Sequence, residues 1–135
     1  MSKLLQRLCD AKRSGVYRAS HAAAILEATS GSDLDVVEVH AGSKPLEKMA
    51  RSLAFPEWFG GNWDALEDAL GDLSWRKGRG HVLVLTGYPE DDERGVLIEV
   101  LRSSAEYWAG RGKPFFAVFI DPARKLALPE LYREA

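Results

Sequence analysis

The spacing of hydrophobic positions changes several times along the chain, and each change marks an element. "LDVVEVH", residues 34–40, gathers β-branched residues in a short run bounded by Gly and Ser, which predicts a strand. "HVLVLTG", residues 81–87, is an apolar run too short for a typical helix and rich in Val, and "PFFAVFI", residues 114–120, is similar. Both predict buried strands. Between the strands the spacing lengthens to that of helices. "SKPLEKMARSLAF" places Leu46, Met49, Ala50 and Leu53 on one side of a helix, with Ser43 as cap, Pro45 in the first turn and an end near Ala54. Asn62 is a natural N-cap for a helix over 63–73. "PEDDERGVLIEVLRSSAEYWAGRG" opens with acids and closes with Arg111 and Gly112, the polarity of a long helix. Leu97, Leu101, Ala105 and Trp108 lie on its apolar face.

The ends of the chain are less regular. Residues 2–12 predict a short helix with Leu4, Leu5 and Leu8 on one side. "SGVYRAS" is a brief strand or turn, and an alanine-rich helix follows near 20–29. The tail "DPARKLALPELYREA" adds one helical turn or docks on the body. Strands separated by helices predict one α/β domain, a three-stranded parallel sheet flanked by helices.

Composition narrows the class. A chain of 135 residues with 46% hydrophobic and 28% charged residues makes one globular domain with a sizeable core. The lone Cys9 excludes an internal disulfide and a multi-thiolate zinc site, and it suits a reducing compartment. The N-terminal apolar run is broken and no cleavage site follows it, so a cytoplasmic location is expected. No run of about 18 apolar residues supports a membrane span.

Net charge is −2, but its distribution says more. Residues 55–75, "FPEWFGGNWDALEDALGDLSW", hold Glu57, Asp64, Glu67, Asp68 and Asp72 with no Lys or Arg before Arg76. Phosphate binding needs cations, so this segment is not a direct nucleic-acid ligand, and a basic partner is expected instead. On a helical wheel Trp63, Leu66, Ala69, Leu70 and Leu73 form a core face, while Asp64, Asp68 and Asp72 fall opposite and Glu67 lies at the edge. Like charges four residues apart cost roughly 0.2–0.5 kcal/mol per pair, although Asp64 gains from the helix N-terminus, so the Asp pairs offer no local stabilisation to explain themselves. The simpler reading is a solvated face. The preceding loop argues for more, because "PEWFGGN" sets Trp58 and Phe59 before Gly60 and Gly61, mixing aromatic and acidic character as interfaces do. Phe59 is assigned to the core and Trp58 to the surface.

"FPEWFGGNWDALEDALGDL" resembles the central motif of the barstar family, intracellular inhibitors of small barnase-type ribonucleases. Pro56, Glu57, Trp58, Phe59, Gly60, Asn62, Trp63, Asp64, Ala65, Leu66 and Asp68 supply the whole family pattern. The order of strands and helices over residues 36–120 or so is also similar to the family's three-stranded fold. The resemblance implies a division into an N-terminal extension, 1–33, helical and packed on or beside the core, a barstar-like domain, 34–122, and a C-terminal tail, 123–135. It implies a ribonuclease inhibitor that is not an enzyme, needs no cofactor or metal, and blocks the phosphate-binding active site with its acidic helix and the loop before it.

Carried over by position, the resemblance makes Asp68 the central electrostatic anchor, Asp64 its neighbour and Trp58 the aromatic contact, with Gly60 and Asn62 shaping or joining the binding loop. Glu67 completes the expected surface and is a departure, standing where the family's best-known inhibitor has Trp. Tyr107, beside Glu106, stands where the long helix would offer a further acid. Carboxylates on a rigid helix suit the Arg, Lys and His of a ribonuclease, through charge-assisted hydrogen bonds. A different basic toxin or regulatory protein is the alternative partner.

The remaining candidates carry less. His21, His40 and His81 are far apart in sequence and lack a Ser or Cys nucleophile motif, so structural or solvated roles are expected. Asp64, Glu67 and Asp68 could hold Mg2+ in a metal-dependent hydrolase, but no metal-binding loop or phosphate cradle accompanies them. "WRKGRG", residues 75–80, reads as a solvated basic loop and "EDDE", residues 90–93, as a helix start. Most of Tyr107, Trp108, Phe115, Phe116 and Phe119 are assigned to packing.

Overall fold

A computed structural model describes residues 2–133. Its elements in chain order are helix α1 (Lys3–Leu8), a 3-10 turn (Ala11–Arg13), strand β1 (Gly15–Ala19), α2 (Ala23–Thr29), β2 (Asp35–His40), α3 (Pro45–Ser52), α4 (Trp63–Leu70), β3 (His81–Thr86), α5 (Asp91–Gly110) and β4 (Phe115–Ile120). The sheet is parallel throughout but has four strands rather than the expected three, in the order β1-β4-β3-β2. "SGVYRAS" supplies the extra strand, with Val16 against Ala117 and Arg18 against Phe119. The cation in this short segment disguises it. Arg18 is only 3% exposed and lies beside Asp121, itself 1% exposed, with Arg18 Nη2 donating to the Asp121 carbonyl at 2.8 Å.

The fourth strand also explains why helices cover both faces. Between β1 and β2 the chain crosses from one sheet edge to the other, and then it returns strand by strand. Right-handed crossovers run in opposite directions place their helices on opposite faces. Leu8 of α1 and Ile25 of α2 pack with Val82, Val84, Phe116 and Val118 on one side. Met49 of α3, Leu66 and Leu70 of α4, and Leu97 and Leu101 of α5 pack with Leu83, Leu85, Phe115 and Phe119 on the other. The alternation along each buried strand is thus hydrophobic on both sides, as the unbroken apolar runs require.

The tail docks on the edge that β1 would otherwise leave open. Arg18 N–H donates to Pro129 O at 2.9 Å, and Leu131 N–H donates to Arg18 O at 3.0 Å. Asp121 accepts the backbone N–H groups of Leu126 and Lys125 at 2.8 and 3.1 Å, and Tyr88 Oη at 3.3 Å. Together these groups fill the crevice at the C-terminal ends of β1 and β4, where the strand order reverses and open α/β sheets commonly take ligands.

Helix boundaries differ from expectation: α1 ends at Leu8, short of residue 12, and α2 starts only at Ala23. Ser43 does not cap α3: Lys44 is the N-cap, in a left-handed conformation at φ 48°, without a side-chain cap bond. The acidic helix stops at Leu70, not at 73. Gly71 follows it, and Leu73 turns left-handed at φ 52°, returning its N–H to Ala69 O at 3.1 Å. That turn leaves Leu73 only 2% exposed, and burial of a leucine, worth about 1.5–3 kcal/mol, offsets the strained φ.

Candidate functional site

The acidic segment is shaped by its apolar half. Leu66, Ala69 and Leu70 of α4 are fully buried, and Trp108 Nε1 of α5 donates to Leu70 O at 2.7 Å, fixing one helix to the other. Asn62 begins α4 with extended backbone, and its Oδ1 accepts Ala65 N–H at 2.8 Å. Two buried leucines at about 1.5–3 kcal/mol each far outweigh one like-charge pair, Asp64 with Asp68, at roughly 0.2–0.5 kcal/mol. The mutual repulsion of that pair is therefore carried by the scaffold rather than contributing to it.

On the outer side Asp64, Glu67 and Asp68 are exposed, and Asp72 is exposed in the turn beyond the helix. None of the ion pairs among the described residues involves these four acids. Asp64 sits in the first turn, where the helix dipole favours an anion. Glu67 Oε1 accepts the Ser103 hydroxyl at 2.9 Å. Beside it a cleft of about 370 Å³ is lined by Glu67, Asp68, Gly71, Ser103, Ser104 and Tyr107. Tyr107 is 43% exposed and carries the Arg111 guanidinium 4.5 Å from its ring centroid, so it stands outside the packing role assigned to its aromatic neighbours.

The loop before α4 separates its two aromatics as expected. Phe59 is half-buried, packing edge-on to Phe55 with centroids 4.8 Å apart, whereas Trp58 is 54% exposed. Phe59 N–H donates to Pro56 O at 3.1 Å, which folds the loop into a turn. Gly61 holds φ 76°, a left-handed conformation that brings the chain into the Asn62 cap without a Cβ penalty. The six residues expected to meet a partner, Trp58, Gly60, Asn62, Asp64, Glu67 and Asp68, are all exposed and lie within one loop-and-helix segment. The Oδ1 of Asn62 is spent on the cap, which leaves its Nδ2 amide as the group able to donate outward. Ser103, on α5, joins this surface through helix packing alone; no local pattern in the sequence announces it.

The basic loop is a correction. Trp75 and Arg76 of "WRKGRG" turn inward rather than into solvent. Trp75 Nε1 donates to Leu53 O at 2.9 Å, and Arg76 donates to both oxygens of Asp35 at 2.7 and 2.8 Å. Gly78 at φ 150° makes room for this approach, since a Cβ there would lie 2.9 Å from the Asp35 Cβ. His81 is fully buried and hydrogen-bonded to Asp35 through Nδ1 at 2.8 Å, with its Nε2 unpartnered among the described residues. Burial works to raise the Asp35 carboxyl, yet hydrogen bonds from Arg76 and His81 hold it below its ordinary value. Burial holds the His81 imidazole below its ordinary value against the opposing pull of Asp35. This cluster is a structural staple between the starts of β2 and β3, without a nucleophile beside it. His40 bonds Thr86 Oγ1 through Nδ1 at 2.5 Å, and His21 is exposed.

Among the described residues no three His, Cys, Asp or Glu side chains converge in a way that could hold a metal ion. No helix among the described residues is long and apolar enough to cross a membrane.

The geometry is that of an acidic surface on a helix packed against the core, with the exposed Trp58 at its edge. A family model described as Barstar (barnase inhibitor) matches residues 30–120, about two thirds of the chain. The comparison with curated proteins gave no match. The extent of the family match, over the motif helix and three of the four strands, means that the chain belongs to the barstar family.

Proposed function

We propose that this protein is an intracellular inhibitor of a small barnase-type ribonuclease, occluding the RNA phosphate-binding active site with α4 and the loop before it. The observation that carries the proposal is the set of exposed carboxylates, Asp64, Glu67 and Asp68, without ion-pair partners among the described residues, on a helix locked by buried leucines. A ribonuclease active site presents cations arranged for phosphate, and fixed carboxylates meet them without reorganisation. Trp58 supplies apolar contact beside the charge. Complementary fields would speed encounter and make it salt-dependent. The barnase–barstar pair is itself a standard illustration of such steering, so its magnitudes are not predictions of this structure.

The test is inhibition of a barnase-type ribonuclease by the purified protein at low and moderate salt, with the Asp64→Ala/Asp68→Ala double variant in parallel. Near-stoichiometric inhibition lost in the variant supports the reading, and equal inhibition by both proteins overturns the site. A second reading, a different basic toxin or regulatory protein as partner, draws on Glu67 and Tyr107. They give this surface a hydrogen-bonded carboxylate and a tyrosine-lined cleft in place of the aromatic and acidic contacts of the best-known family member. Partners captured by the wild type and not by the double variant, with no ribonuclease among them, favour that reading.

A further inference from the structure

The exposed Trp58 does not project freely from its loop. Its ring centroid lies 6.0 Å from that of Trp75 with the planes at 79°, an edge-to-face contact. Trp75 meets Phe55 the same way, at 5.9 Å and 85°, and Phe55 meets Phe59 at 4.8 Å and 61°. Four aromatic rings thus form a ladder that begins at the core and ends at the surface. Trp75 is its fixed rung. Its Nε1–H donates to Leu53 O at 2.9 Å, and the same carbonyl accepts Arg76 Nη1 at 3.2 Å. Arg76 in turn is anchored on Asp35, so the rung is tied to the first residue of β2.

Without a neighbour, an exposed tryptophan before Gly60 and Gly61 would sample several rotamers, and a partner would have to order it on binding. A ring held by an edge-to-face contact is already ordered. We propose that Trp75 is a positioning residue, which fixes the Trp58 indole in one orientation and so presents it to the partner; the second half of this statement rests on the inhibitor reading above. Trp75 itself is half-buried and lies outside the loop-and-helix segment expected to touch the partner. Its effect on binding therefore passes through Trp58.

The first measurement uses the free protein alone: 15N relaxation of the Trp58 indole N–H in wild type, Trp75→Leu and Trp75→Phe. Trp75→Leu keeps apolar volume against Phe55 and removes the aromatic contact, whereas Trp75→Phe keeps an aromatic edge. The expected order parameter falls from a rigid value near about 0.85 to below about 0.6 in Trp75→Leu and recovers in Trp75→Phe. An unchanged Trp58 order parameter in a folded Trp75→Leu overturns the proposal, whatever the protein inhibits. The second measurement is a double-mutant cycle on ribonuclease inhibition. Trp75→Leu is expected to weaken inhibition roughly threefold to tenfold in the wild-type background and to have no effect in a Trp58→Ala background. An equal loss in both backgrounds makes Trp75 merely structural. Absence of any ribonuclease inhibition by the wild type counts against the inhibitor reading, and the relaxation result then decides the positioning role by itself.

Discussion

Asp35 accepts Arg76 Nε and Nη2 on its two oxygens, at 2.7 and 2.8 Å, across 41 residues of sequence, while His81 closes on the same carboxylate at 2.8 Å. The pairing joins the end of the acidic segment to the sheet that carries it. It also makes the stability of the protein depend on pH in a definite direction. His81 titrates below its ordinary value when folded, so the unfolded chain gains a proton first as pH drops through about 6.5. Asp35 is likewise held below its ordinary value, so its contribution is complete above about 4 and is lost as pH falls through its lower folded value. Stability is expected to decline from about pH 6.5 downward and to drop again below about 4. Urea midpoints at about pH 7.5, 5, 4 and 3 check this, and His81→Gln should flatten the upper part. A wild-type midpoint that is constant from 7.5 to 5 would refute the linkage.

Asn62→Ala removes the side-chain acceptor for Ala65 N–H at the start of α4. The expected loss is about 1 kcal/mol of unfolding free energy, while Asn62→Gly should cost only a few tenths. Chemical denaturation of the two variants makes the comparison. Equal losses would mean that the cap bond does not support the helix.

Asp68→Ala separates stability from binding. Removing one member of the Asp64–Asp68 pair should leave unfolding free energy unchanged or raise it by roughly 0.2–0.5 kcal/mol. Under the inhibitor proposal the same change weakens partner binding by orders of magnitude, as loss of a central charged contact does. A variant that lost both stability and binding in step would identify Asp68 as a folding residue instead.

Arg18→Ala strands Asp121 in the crevice between β1 and β4. Breaking a buried ion pair by deleting one partner costs about 3–5 kcal/mol, whereas Arg18→Met, which fills the space, should cost less. Here the Asp121 carboxylate keeps its bonds from Lys125, Leu126 and Tyr88, so the lower end of that range is expected. Thermal unfolding of both variants distinguishes them, and a neutral Arg18→Ala would show that the tail holds the crevice by itself.

Much of this structure is legible in local sequence, where a residue's role depends on its neighbours along the chain. Val82–Leu85 and "PFFAVFI" are unbroken apolar runs because both faces of their strands are covered. The motif helix begins at Asn62 because the cap acts over three residues, and Trp58 and Phe59 part as expected because adjacent residues before a tight turn cannot both face the core. β1 was harder to read because Arg18 is buried by a partner 103 positions away. The inward turn of Trp75 and Arg76 was hidden for the same reason, since their acceptors lie at Leu53 and Asp35.

The sequence by itself determined the parallel α/β architecture, the acidic face of the motif helix and its aromatic loop, because these follow from periodicity, capping and charge within a few residues. The tertiary structure decided the rest. It made a fourth strand of a segment with a cation in its middle, and it ended the acidic helix at Leu70 so that Leu73 could reach the core. It also brought Ser103 and Tyr107 beside Glu67, and set Trp75 against Trp58. Each of those outcomes depends on groups distant in sequence sharing a buried volume or a hydrogen bond, and only the folded chain brings such groups together.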